Sequence, residues 1–280
     1  MLAESTFRTW ARRTASLVLL ALACSSVIGR SFAAGEASDL YQATTIVTGT
    51  DMRSRPSGFA QCLREVLVKV SGEPRLSSDP RVADLASRAD VFVTSFTYVD
   101  PRANVRPHDD QGTYDRSQNL TVVFDRAKVD DALAKLGELP WPGPRPTIVP
   151  FVALRSAEGP WKGEFLLAAD ETSASVQRDS FLNSAGKYGM RARFPAGSDY
   201  QAWGMGPEGP VPDIPSKEGE MLVRGVLEFR PDAMGWVGLW YLRWHGASYA
   251  WKISGVGFDQ AFDDLVAGAV RVASGHGAPD

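Results

Sequence analysis

Between Glu138 and Pro146 the chain reads Glu-Leu-Pro-Trp-Pro-Gly-Pro-Arg-Pro. Each of its four prolines lacks an N–H and fixes φ, so neither a helix nor a strand ladder can cross this stretch. Order in the 280-residue chain must be built on either side of it. The spacing predicts an N-terminal domain over 34–137, a Pro-rich connection over 138–146 and a C-terminal domain over 147–274. Trp141 is expected to pack onto one half and stiffen the connection. The Gly-rich end, 275–280, reads as a frayed, disordered tail.

In the first half, Tyr41 to Gly49 is rich in Thr and β-branched residues and reads as a strand. Phe59, Cys62, Leu63, Val66, Leu67 and Val70 fall at helical spacing, and Ser71-Gly72 closes that helix. Asp79-Pro80 opens a second helix, to about Ala89, with aspartate as cap and proline in the first turn. Strands are expected at Val91–Val99 and Asn119–Phe124, then a helix at Ala127–Leu136 ending at Gly137. The order is β-α-α-β-β-α.

The second half opens with an apolar strand, Thr147–Leu154, and continues with a helix over Ser173–Tyr188 and a short strand-like Met190–Phe194. Pro195–Gly219 reads as a long Gly/Pro-rich loop with little local order. Three strands follow, Met221–Phe229, Trp236–Trp244 and Ser248–Ile253. A last helix from Asp259 to about Ser274 carries Phe262, Leu265, Val266, Ala269 and Val270 on one stripe. The order β-α-β-β-β-α, with that of the first half, predicts an α+β fold of two small, helix-backed, mainly antiparallel sheets.

The leader says where such a chain goes. Arg8, Arg12 and Arg13 precede an apolar run from Ala15 to Ile28, and small residues flank a cleavage point after Ala33. This is the order of a secretory signal peptide, and the run falls short of the roughly 20 apolar residues of a membrane span. Ala21-Leu-Ala-Cys24 leaves a lipoprotein alternative open, with Cys24 as the acylated residue. Export predicts a periplasmic or secreted protein with no transmembrane span in the mature chain. Loss of the leader takes the formal charge from −3 to −6 and leaves Cys62 as the sole cysteine. A lone thiol on an apolar helix face is expected in the core. An acidic chain lacks the clustered Lys and Arg that nucleic acid demands.

Several short motifs occur in order: Val66-Leu-Val-Lys-Val-Ser-Gly72, Pro74, Asp79-Pro-Arg-Val82, Tyr41-Gln-Ala-Thr44 before them, and Pro140-Trp141 with Arg145-Pro146 after. Together with His108-Asp-Asp-Gln-Gly-Thr-Tyr-Asp-Arg116, they resemble a bacterial family of exported envelope proteins, domain-of-unknown-function family 2066. The resemblance covers Tyr41 to about Pro146 well and the remainder loosely. It implies an exported bacterial protein and carries no activity.

Two constellations have chemical potential. His108, Asp109, Asp110 and Asp115 combine an imidazole with hard carboxylates, a set suited to a divalent cation. Arg102, Arg106 and Arg116 lie close enough to make the same segment an ion-paired turn between strands. On a strand, Trp236, Trp240 and Trp244 share one face, and Gly238 leaves a notch between them. Such a row either packs beneath a helix or offers a stacking surface to a sugar ring or a peptide. No nucleophile elbow, phosphate loop, dinucleotide fingerprint or zinc-protease motif is present, and no cofactor is implied. The sequence therefore predicts a non-enzymatic interaction or adaptor module of the cell envelope with a protein partner. Its expected contact residues are Trp203 in the long loop with Trp236, Trp240 and Trp244. A glycan- or wall-fragment-binding protein is the alternative, and a metal-dependent hydrolase at the His108 loop a third.

Overall fold

Helix α1, Arg55–Ser71, organises the first half. Pro56 sits in its first turn, where the missing N–H costs nothing. Gly72 ends it with φ +74°, its N–H donating to Val68 O at 2.8 Å. The six apolar positions read from the sequence are all buried. They cover one face of an antiparallel sheet of β1 (Gln42–Thr48), β3 (Ser117–Phe124) and β2 (Val93–Val99), with β3 central. Helix α2 (Pro80–Ser87) is capped by the Asp79 carboxylate, which accepts from Arg81 N at 2.8 Å. Helix α3 (Arg126–Leu136) closes this half at Gly137.

The computed structural model describes residues 40–103, 116–157, 162–206 and 211–279. Within it, Gln42–Asp280 makes up one compact unit that contains both sheets.

The second sheet runs β5-β4-β7-β8-β9, with the two-residue β6 (Arg191–Ala192) also on β4. Its strands are β4 (Thr147–Ser156), β5 (Gly163–Leu166), β7 (Glu220–Arg230), β8 (Gly235–Trp244) and β9 (Ala247–Val256). The β4–β7 pairing is parallel over ten residues, whereas β4–β5, β7–β8 and β8–β9 are antiparallel. The α+β class holds with helix-backed, mainly antiparallel sheets. The parallel pair follows from the crossover through helix α4 (Ser175–Lys187), and β4 shows it by being buried along nearly its whole length. Strand β5 escaped the sequence reading because four residues carry too little periodicity.

Helix α6, Phe258–Ser274, lays its expected apolar stripe on the sheet beside α4. Phe181 and Phe262 meet edge-to-face at 5.7 Å between the two helices. The opposite face of β4 and β7 is covered by the segment after β6, which the sequence suggested to be unordered. It contains a short helix, α5 (Gly197–Ala202), and buries Tyr200, Met205 and Ile214 against Val149, Phe151 and Leu222. The Tyr200 hydroxyl accepts from Val152 N at 3.1 Å and donates to Pro150 O at 3.2 Å.

Gly225 and Gly238 make the slot for the fully buried Trp240. A Cβ on Gly225 would stand 2.5 Å from the indole, and one on Gly238 would press on the ring more closely still. Neither ring nor backbone can give way there. Gly225→Ala is therefore expected to lower stability by about 2 kcal/mol in urea unfolding, the scale of an overpacked core. Gly186→Ala, at an open position of α4, should raise it by roughly 0.5 kcal/mol through helix propensity.

Candidate functional site

The four tryptophans expected at a contact surface separate. Trp240 is fully buried and Trp236 is 5% exposed, packed edge-on against Phe229 and Phe258 at 5.7 and 6.3 Å. Both lie on the face of β8 that α6 covers. The notch at Gly238 is filled by the Trp240 indole itself, so neither residue can serve as a surface platform. Trp203, at the end of α5, is 44% exposed. Trp244, the last residue of β8, is half-buried.

Trp244 opens onto a cavity of about 480 Å³ between the β8–β9 turn and the segment Asp213–Glu220. His245 and Gly246 both have positive φ, +47° and +83°, which gives the tight turn that matches strand twist. That conformation sets the His245 ring edge-on to Trp244 at 4.6 Å. On the other wall, Asp213 joins two arginines, Arg224 Nη1 at 3.0 Å and Arg243 Nη1 at 3.3 Å. Arg224 also donates to Pro212 O. Glu220 pairs with Arg193 at 2.7 Å. Exposed pairs of this kind contribute little energy, but they fix the direction of planar charged groups. The segment is tethered by Leu222 N to Ser216 Oγ at 3.2 Å and by Thr147 N to Gly219 O at 3.0 Å. Lys217 and Glu218, both exposed, form no ion pair among the described residues. The cavity thus offers one indole, one imidazole and two uncommitted charges on a fixed frame. Leu239 and Tyr241, 40% and 38% exposed, extend an apolar strip along the outer face of β8.

His108, Asp109, Asp110 and Asp115 lie outside the described residues, as do Cys24 and Ala33. Among the described residues no three His, Cys, Asp or Glu side chains cluster as a metal site, and no helix is long and apolar enough to cross a membrane. Cys62 is buried, its thiol directed to Ala43 O at 3.6 Å, and burial pushes it up to about 12. It is a core residue.

One serine–histidine–carboxylate chain exists that sequence spacing could not show: Ser274 Oγ is 2.7 Å from His276 Nδ1, and His276 Nε2 is 2.9 Å from Glu138 Oε2. The Ser274 hydroxyl also stands 2.8 Å from Gly72 O and 3.2 Å from Arg271 O, so two main-chain carbonyls compete with Nδ1 for its single proton. The three side chains tie the last turn of the chain to the end of the first helix and to Glu138 at the start of the proline-rich connection.

The family comparison covers only the first half. Residues 34–142 match the family model "Domain of unknown function (DUF8605)". The resemblance to a domain of unknown function is borne out at that level, and the family number 2066 is not confirmed. No curated protein and no solved structure matches the chain.

Trp240 Nε1 donates to Asp264 Oδ2 at 3.1 Å. Burial raises the Asp264 carboxyl above its ordinary value, the Trp240 and Trp251 N–H groups pull it partly back, and Asp263 pushes it up again. A carboxyl raised in the fold binds its proton more tightly there than in the unfolded chain. Its stabilising contribution is complete below the unfolded value and is lost as pH rises through the folded one. Asp264→Asn keeps an acceptor for Trp240 without the charge. Urea midpoints measured against pH should therefore fall less toward neutrality in the variant than in the parent protein.

Proposed function

We propose that the protein is an exported, non-enzymatic interaction module of the bacterial envelope, and that its partner docks at the cavity between Asp213–Glu220 and the β8–β9 turn. The observation that carries this reading is convergence. The long loop and the tryptophan strands, singled out separately in the sequence, meet at one place, and there Trp244 is accessible on rigid strand ends. Interfaces draw their energy from such aromatic anchors ringed by polar groups. The leader and the resemblance to exported envelope proteins support the location. The tethered ion pairs and the absence of a nucleophile–base arrangement at the cavity suit binding rather than turnover.

A second reading rests on Trp244 itself. An indole flanked by oriented carboxylate and guanidinium groups suits a sugar ring, whose C–H face stacks while its hydroxyls meet the planar charges. Envelope glycans would then be the ligand.

Deleting Met205–Pro215 would strip Met205 and Ile214 from the core, so the test needs point changes. A photo-crosslinking residue placed at Lys217 in living cells is expected to yield a discrete protein adduct, lost on Trp244→Ala. The same probe at Ile46, 71% exposed on the first sheet, should yield none. Equal labelling at both positions, or an adduct indifferent to Trp244→Ala, would overturn the assignment. Quenching of Trp244 emission by wall glycans with no protein adduct would favour the second reading.

A further inference from the structure

Arg271 of α6 and Glu73, just past α1, are both buried, at 5% and 7% exposure. Arg271 Nη1 donates to both carboxylate oxygens at 2.5 Å, joining residues 198 positions apart. A guanidinium can be buried only when its charge is paired and its remaining N–H groups find acceptors. Glu73 supplies the charge, and it also accepts from Arg75 N at 2.9 Å. Two of the three remaining N–H groups go to main-chain carbonyls of the tail: one on Nη2 to His276 O at 2.7 Å and that on Nε to Ala278 O at 3.1 Å. No residue from Gly275 to Pro279 is buried, so this segment contributes hydrogen bonds rather than apolar packing.

The same corner holds the proline-rich connection. Ser274 Oγ donates to Gly72 O at 2.8 Å, and a Cβ on Gly72 would stand 2.7 Å from Ser274 and 2.9 Å from the Trp141 ring. Trp141 N donates to Val70 O at 2.8 Å. Arg145 lies over the Trp141 ring at 4.3 Å and donates to Lys69 O at 2.6 Å and Tyr188 O at 2.8 Å.

We propose that residues 275–279 are a strap that completes the hydrogen-bond shell of Arg271, and that displacing the strap loosens the joint between the two sheets. Without the tail carbonyls, two guanidinium N–H groups lose their protein acceptors, and the Glu73–Arg271 pair loses its support. The strap is accessible from solvent while the pair it secures is not. It is therefore a release point, through which an event at the surface changes how firmly the connection is held.

The test follows hydrogen exchange at Trp141 N–H in the full chain, in a chain ending at Gly275, in Arg271→Lys and in the combination. Truncation is expected to speed this exchange by about tenfold or more, the scale of a buried donor left unpaired. Lysine keeps the charge toward Glu73 but has no N–H set for the tail, so truncation in the Arg271→Lys background should add less than about twofold. Exchange in the truncated chain within about twofold of the parent would overturn the strap. So would an equal effect of truncation in both backgrounds. His276→Ala retains the main-chain carbonyls and should leave exchange within about twofold. If it matches the truncation instead, the Glu138 link and not the strap carries the effect, and the proposal fails.

Discussion

The ion pair between Glu73 and Arg271 is the constraint around which the two halves are arranged. It is buried, and it joins the end of the first helix to the last turn of the last one. A buried pair of this kind is a weak source of stability by itself, because desolvation offsets most of the attraction. Its force is directional: either partner alone would be an uncompensated buried charge, so the sheets can pack only where the two groups meet. The connector residues Trp141 and Arg145 are seated in the same corner. A stretch that cannot form regular structure is thereby held by side chains and by single main-chain bonds, Trp141 N to Val70 O among them.

A second constraint divides the faces of the larger sheet. Trp240 fills the slot between Gly225 and Gly238 and is tied to α6 through Asp264. This fixes which face of β8 is covered, and on that face the strand end, at Trp244, stays half-buried. The other face is half covered by α5 and the segment through Ile214, leaving Leu239 and Tyr241 outside. The cavity and the apolar strip are thus what remains once the core has taken the other aromatic residues.

Much of the fold could be read from local pattern. The stripes Phe59–Val70 and Phe262–Val270, the cap at Asp79 and the glycines at 72 and 137 each encode a helix or its end within a few residues. The threonine-rich Gln42–Thr48 and the alternation in β8 do the same for strands. What pattern could not give is pairing across distance. The parallel partner of β4 depends on a crossover some sixty residues long in sequence. The burial of Tyr200, Met205 and Ile214 depends on an uncovered sheet face elsewhere in the chain. At the candidate site, the shared face of Trp236, Trp240 and Trp244 was legible, but not which of them α6 would cover. Glu73, Arg271 and His276 carried no local signal, since each is explained only by a residue far away in sequence.

Through this joint the two halves are expected to fold and unfold as one body. That coupling is tested most directly by urea unfolding with two probes in the same samples. One is mass-mapped alkylation of Cys62 in the first half, and the other is emission of the tryptophans, which among the described residues lie in the connector and the second half. Coincident midpoints are expected. A Cys62 midpoint clearly separated from the tryptophan midpoint would mean that the Glu73–Arg271 joint does not couple the sheets.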